Sequence, residues 1–213
     1  IADIRQGVNR VSRLIEQILT LARLDPDYGG PSETIPLHEF IKAIHEELQP
    51  QAAAKSIAFT LNAVSPVSII GDTTSLRALL RNLVDNAIRY TPANGAVSIE
   101  LSTSDNSSEI AITDTGPGMP EDIRRKAFAR FYRGDNVPEI TGTGLGLAIA
   151  HRAAERLNVR LTLEDGRNGT GLSAVVNFPC VPGTDTRQKP ASRASQPESE
   201  FRVRKPSSGH SGH

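Results

Sequence analysis

Two strand-period runs standing almost back to back decide what kind of sheet this chain can build. Val97, Ile99 and Leu101 alternate with polar neighbours, Asp105 to Ser108 has turn composition, and Glu109 to Ile112 resumes a strand pattern. A parallel return needs a crossover of about a dozen residues or more, so these two strands form an antiparallel hairpin. Around them, Ile35 to Phe178 alternates between helical and extended periodicity. Helical spacing covers Leu37 to Ala54, Thr73 to Tyr90, Pro120 to Phe131 and Leu145 to Leu157. Extended alternation marks Ile57-Phe59-Leu61, the run Val67 to Ile70, Val159-Leu161-Leu163 and, after a turn from Gly166 to Gly171, Leu172-Ala174-Val176-Phe178. The expectation is an α/β fold of the two-layer α+β sandwich kind, with a mixed sheet of about six strands and helices on one face.

The N-terminal segment follows a different rule. Ile1, Ile4, Val8, Val11, Ile15, Ile18 and Ala22 recur in steps of three and four, an a/d seam that Leu14 and Leu21 widen. This predicts a coiled-coil or bundle helix over residues 1–25, ended by Asp25-Pro26 because the residue before a proline is pushed out of the helical region. Residues 26–34 read as a linker and 35–182 as the main domain. In 183–213 the apolar side chains are Ala191, Ala194, Phe201 and Val203, too few to offset the entropy of ordering, so a disordered tail is expected there. Lys plus Arg and Asp plus Glu both number 24, which gives no electrostatic reason to expect nucleic acid as a partner. A lone cysteine, Cys180, excludes an internal disulfide and a cysteine-built metal site. Apolar runs fall far short of the roughly 20 residues that span a bilayer, and the charged N-terminal stretch does not read as a signal peptide. With Ile1 first and Met119 the lone methionine, a fragment or processed product is expected.

Three stretches carry chemistry. In Asn82-Leu-Val-Asp-Asn86-Ala-Ile-Arg89-Tyr90 the two asparagines are four apart, so both amides share one helix face. Amides on an apolar helix need partners, which core hydrogen bonds or a hydrated metal with phosphate oxygens would supply. Asp114-Thr-Gly116-Pro-Gly118 ends a strand in a carboxylate and two glycines, either a simple turn or a place where a ligand's amine meets an acceptor. Thr141-Gly142-Thr143-Gly144-Leu145-Gly146-Leu147 opens a helix, so backbone amides and the helix dipole favour an anion there. The dinucleotide fingerprint does not fit its spacing, no strand precedes it, and no Gly-Lys-Ser/Thr ending makes it a P-loop.

Taken in order, these stretches resemble the ATP-binding domain of bacterial sensor histidine kinases, in the superfamily shared with gyrase, the Hsp90 chaperones and MutL. Asn82 to Pro92 looks like the N box, Asp114 to Gly118 the first glycine box and Gly142 to Gly146 the second. Phe128 and Phe131 look like the phenylalanine box. Arg13 to Asp25 is similar to the second helix of the dimerisation domain, and the detail looks nearest to kinases that pair with OmpR-type response regulators. The resemblance implies that Asn86 is a Mg²⁺ ligand with Asn82 beside it, and that Arg89 and Arg133 meet phosphate. It implies that Tyr90 packs near the adenine, that Asp114 accepts the adenine amino hydrogen, and that Gly116 and Gly118 shape the floor. Arg133 to Thr143 would form a mobile lid, with Phe131 at its edge and Gly142, Thr143, Gly144, Leu145 and Gly146 around the phosphates.

The implied reaction is transfer of the ATP γ-phosphoryl to a histidine on a dimerisation domain, for relay to a response-regulator aspartate. The implied partners are ATP, that regulator and a second copy of the parent, itself expected in the inner membrane. The phosphoacceptor box is not recognisable here. His45-Glu-Glu-Leu-Gln-Pro50 resembles it superficially, but it lies within a helix of the ATP domain and reads as a solvated face. The fragment is therefore expected to be cytoplasmic and not to phosphorylate itself. The alternatives are a serine kinase or ATPase of the same superfamily, and a catalytically silent nucleotide sensor. The comparable position of the ATPases holds a Glu base, where this chain has Asn82.

Overall fold

The computed structural model describes residues 2–24, 30–63, 66–104, 107–132 and 143–179. The chain runs through α1 (Ala2–Arg23), β1 (Glu33–Pro36), α2 (Leu37–Ala54), β2 (Ala58–Asn62), β3 (Ser68–Gly71) and α3 (Thr73–Tyr90). It continues with β4 (Ala96–Thr103), β5 (Ser107–Asp114), α4 (Glu121–Arg124), α5 (Gly146–Leu157), β6 (Arg160–Asp165), a 3₁₀ turn (Arg167–Gly169) and β7 (Leu172–Pro179). Five strands make one mixed sheet in the order β2-β4-β5-β7-β6. Among the described residues only β2 and β4 pair in parallel; β4 and β5 form the expected hairpin, with Val97 opposite Asp114 and Leu101 opposite Ile110.

One face of this sheet is apolar. Val97, Ile99, Leu101, Ile110, Ile112, Ala174, Val176 and Phe178 are buried against α2, α3 and α5, while intervening residues face outward. From α3 the core takes Leu76, Leu79, Leu80, Leu83, Val84, Ala87 and Ile88. The spacing that predicted this helix is therefore the spacing of its buried stripe.

Three features depart from the sequence reading. Glu33–Pro36 is a strand, pairing antiparallel with β3 as a small second sheet outside the main one. The helix expected over Pro120 to Phe131 is regular only in α4. Beyond it the hydrogen bonds shorten to i→i+3 links, Lys126 N to Ile123 O, Ala129 N to Lys126 O and Tyr132 N to Ala129 O, and Phe131 turns left-handed at φ 61°. His45 departs in part: it is half-buried, its ring 4.3 Å from that of Phe59 on β2, while Glu46, Glu47, Gln49 and Pro50 of the same stretch are exposed as expected. The expected boundary at Asp25-Pro26 and the tail at 183–213 lie outside the described residues.

α1 presents two different edges. Leu24 is 1% exposed in the core, and Leu14 and Leu21 pack against it. The a/d seam proper stays in solvent, with Val8, Val11, Ile15 and Ile18 each about half exposed. The widening residues attach α1 to the domain, and the seam is left for another surface.

α3 starts at a strong cap. Asp72 accepts from Thr74 N at 3.1 Å, Ser75 N at 3.2 Å and Ser75 Oγ at 2.5 Å. Arg156 of α5 pairs with the same carboxylate at 3.3 Å, both side chains being 13% exposed. Burial pushes the Asp72 carboxyl up, but the Ser75 hydroxyl, the two amides and Arg156 together outweigh it and hold the group below its ordinary value. A depressed carboxyl contributes stability above its unfolded pKa and loses it as pH falls through the folded one. Asp72→Ala should lower unfolding stability by about 1–2 kcal/mol at neutral pH, from the lost cap and the lost ion pair with Arg156. In urea titrations the difference from wild type should shrink once the pH drops below the ordinary carboxylate range.

Candidate functional site

The residues of the asparagine stretch lie along one side of α3. Asn82 Nδ2 donates to Ala78 O at 2.7 Å, which leaves its amide oxygen for other partners. The Asn86 amide has no hydrogen bond among the described residues. Both amides face the first residue of α5: a Cβ on Gly146 would lie 3.1 Å from Asn86 Oδ1 and 3.5 Å from Asn82 Oδ1. The missing side chain is what lets two amides and a helix N-terminus share this space. One turn further on, Arg89 is ion-paired with Asp85, the two side chains being 14% and 15% exposed.

The end of α3 is held by a residue that the sequence reading passed over. Lys55, just after α2, donates from Nζ to Ile88 O and Arg89 O at 2.9 Å and to Thr91 O at 2.5 Å. A cation on the last carbonyls of a helix satisfies orphan acceptors and matches the dipole. Partial burial lowers the Lys55 pKa from its ordinary value. A lone lysine after a helix gives no pattern by which sequence could find it.

Asp114, at the end of β5, is 6% exposed. Its Oδ1 accepts from Gly116 N at 2.7 Å and Leu172 N at 3.3 Å. Oδ2 takes no hydrogen bond among the described residues and is left as an acceptor. Burial raises the Asp114 pKa above its ordinary value, and the two amide bonds pull the other way without cancelling it. Gly116 sits under Tyr90, where a Cβ would come 2.9 Å from the Tyr90 carbonyl oxygen, and Gly118 packs on the backbone of Gly171. Gly171 itself was not singled out from sequence. It has φ 79°, and a Cβ there would stand 1.8 Å from the Asp114 carbonyl oxygen, so no other residue fits this turn.

At the glycine-rich stretch, Gly144 has φ 72° and lies against the Phe131 backbone, where a Cβ would meet Phe131 C and Cα at 2.9 Å. Phe131 N donates to Gly144 O at 3.1 Å, and the residue is 64% exposed. Phe128 lies 4.8 Å from the His151 ring of α5. Thr143 Oγ1 donates to Gln17 Oε1 of α1, and Leu145 is fully buried. Arg133 and Gly142 lie outside the described residues, as does most of the expected lid.

Two clefts flank α3. One, of about 500 Å³, is lined by Lys55, Arg89, Tyr90, Thr91, Gly116 and Pro117 among others. The other, of about 430 Å³, opens between α1 and α3 and is lined by residues including Gln17, Arg23, Arg81, Asn82 and Asp85. Among the described residues no group of three or more His, Cys, Asp or Glu could hold a metal. An amide such as Asn86 suits Mg²⁺ as one hard oxygen donor beside phosphates and water, not as part of an all-protein cage. The arrangement can therefore take an anionic ligand that brings most of the metal's shell with it.

The chain is similar to known proteins in sequence and in fold. Residues 71–182 match the family of histidine kinase-, DNA gyrase B- and HSP90-like ATPases. The chain is 35% identical over 186 residues to the sensor protein kinase PmrB of Pseudomonas aeruginosa, an overlap of 87% of this chain and 39% of that protein. It spans about two fifths of the length of the curated relatives it matches. The structure of the mycobacterial sensor histidine kinase MprB superposes with a TM-score of 0.61 at 29% identity, covering 70% of this chain and 97% of that one. Full-length ShkA in complex with AMPPNP superposes at 0.71 with 26% identity, covering 84% of this chain and 37% of that one. Two amides over a helix N-terminus, a buried strand-end carboxylate and a glycine-lined cleft thus belong to a member of this ATPase family, and the chain carries the ATP-binding catalytic domain of a sensor histidine kinase.

Proposed function

We propose that this domain transfers the γ-phosphoryl of ATP to a histidine on a dimerisation domain, for relay to an aspartate of a response regulator. The observation that carries the reading is the order of groups along α3. From Asn82 to Tyr90 the helix advances about 12 Å. That places the amides at one end and Tyr90, with Gly116 and Asp114, at the other. Phosphates belong at the amide end, beside Gly146 and the α5 N-terminus. Adenine belongs at the other, where the free Oδ2 of Asp114 accepts its amino hydrogen.

Phosphoryl transfer asks mainly for alignment and charge neutralisation. Bound Mg²⁺ would supply neutralisation on the phosphate oxygens. Asn86 would hold the metal with Asn82 next to it, Arg89 would offer a guanidinium to phosphate, and Arg133 is proposed for the γ-phosphate. The nucleophile is a histidine on a dimerisation domain. The exposed seam of α1 supports that domain as the neighbour, because Val8, Val11, Ile15 and Ile18 fit a helix bundle. The parent is proposed to act as a homodimer anchored in the inner membrane. Among the described residues no helix is long and apolar enough to cross a membrane.

Calorimetric titration with ATP tests the two ends separately. Asn86→Ala should abolish the gain in affinity that Mg²⁺ confers on wild type while keeping metal-free binding. Asp114→Asn should weaken ATP at least tenfold, since the variant amide offers the adenine a hydrogen where it needs an acceptor. A folded wild-type chain that binds no ATP would overturn the reading. Incubation with γ-labelled ATP should leave the chain itself without acid-labile label, and label in this chain would place the phosphoacceptor within it.

Asp114→Asn should also separate binding from stability. A raised carboxyl pKa means that the folded state holds its proton at a pH where the unfolded state has lost it, so the ionised form opposes folding above that window. The variant keeps an acceptor for Gly116 and Leu172 and loses the charge. Its thermal midpoint should equal or exceed that of wild type at neutral pH. The advantage should shrink as pH falls through the carboxylate range, as followed by circular dichroism.

A further inference from the structure

The ion pair between Arg89 and Asp85 has no part in the reaction described above, yet it occupies the middle of the site. The two side chains are a turn apart on α3, largely buried, and each faces a different cleft. Arg89 lines the cleft with Tyr90 and Gly116; Asp85 lines the one with Arg23, Arg81 and Asn82. Asp85 also immediately precedes Asn86 in sequence. A guanidinium shut away to this extent needs a counter-charge whether or not a ligand is present. In the ligand-free chain Asp85 is that charge.

We infer that Asp85 is a stand-by counter-ion for Arg89, displaced by nucleotide phosphates, and that it sets the affinity of this chain for metal-free nucleotide. The inference rests on the proposed contact of Arg89 with phosphate. A polyphosphate entering beside Asn86 competes for the same guanidinium, which binds phosphate oxygens as readily as a carboxylate. Two costs follow: the existing pair is broken, and the Asp85 carboxylate remains close to several negative oxygens. Arg23 of α1, across the same cleft, gives Asp85 a cation to turn toward once Arg89 leaves, whereas Arg81, one turn back on α3, is held by Glu47 at 2.8 Å. Both costs fall when the phosphates arrive already neutralised by a metal. The pair therefore weakens free nucleotide more than Mg²⁺-bound nucleotide and makes the site selective for the form that can react.

The test is calorimetry of ATP, ADP and adenosine in EDTA and in Mg²⁺, with wild type, Asp85→Asn, Arg89→Ala and the double variant. Asp85→Asn should bind metal-free ATP about fivefold tighter or more, as expected for removing one nearby like charge. Adenosine affinity should stay as in wild type, and the advantage of Mg²⁺ should shrink. On the Arg89→Ala background the tightening should fall to a small residue. A gain in affinity confined to phosphate-bearing ligands cannot come from a loosened fold. Unchanged or weaker metal-free binding in Asp85→Asn overturns the inference, as does loss of the Mg²⁺ effect alone, which would make Asp85 a metal ligand. If Arg89→Ala leaves ATP binding unchanged, the phosphate contact of Arg89 is itself wrong, and the inference falls with it.

Discussion

α3 is clamped at its two ends by opposite charges that come from outside it, and every other feature of the site is measured from that helix. At the N-terminus Asp72 takes the first amides, braced by Arg156 from α5. At the C-terminus the Lys55 ammonium, reaching from the end of α2, closes on three carbonyls. Each charge has the sign that the helix dipole favours. The buried stripe of α3 already fixes which face meets the sheet, and the two clamps hold the helix along its own axis. Asn82, Asn86, Arg89 and Tyr90 are thereby placed together, as one rigid row. A site built on a packed helix keeps its spacing better than one assembled from loops.

The opposite wall is held by a carboxylate placed at a cost. Asp114 is nearly sealed from water, and its burial works against its charge. Two backbone amides converge on one of its oxygens, Gly116 from the loop after β5 and Leu172 from the start of β7. Gly171 brings the turn before β7 so close that no side chain fits between it and the Asp114 carbonyl. The same bonds that make the buried charge tolerable spend one oxygen and aim the other. Residues of this kind lower stability in order to present an unsatisfied acceptor, and they are where binding and folding ask for different side chains.

Much of the fold was legible because it rests on long periodic segments. Leu37–Ala54 and Thr73–Tyr90 came out with the bounds that the sequence spacing assigns, since each carries a full apolar stripe. Glu33–Pro36 was missed because a four-residue strand with one buried side chain has no period to read, and its pairing with β3 is long-range. Pro120 to Phe131 looked helical because its apolar spacing ignores the demand of Gly144 on the Phe131 backbone. The site divides in the same way. Asn82, Asn86, Asp114 and Gly146 announce themselves through local motifs. Lys55 and Gly171 matter only through partners some 30 to 60 residues away, which no local spacing reveals. The pair of Arg89 with Asp85 lay within reach of sequence, being an i,i+4 pair of opposite charge, and was overshadowed by the role suggested for Arg89 alone.

The chemistry proposed for the phosphate end follows from what kind of donors stand there. Amides give a metal oxygen atoms without adding negative charge next to a polyphosphate, whereas carboxylates would bind the bare metal more tightly and repel the nucleotide. The nearest carboxylate, Asp85, is already engaged by Arg89. Among the described residues no cluster of acids could bind a metal on its own. Such a site has little to hold a cation with until phosphates arrive, so metal and nucleotide are expected to enter as one ligand. Selectivity for that ligand then comes from charge balance more than from shape. On the proposed reading, the adenine end would read the base through one buried acceptor, and the phosphate end, through neutral amides and a guanidinium with its own counter-ion, would read whether the charge has been neutralised.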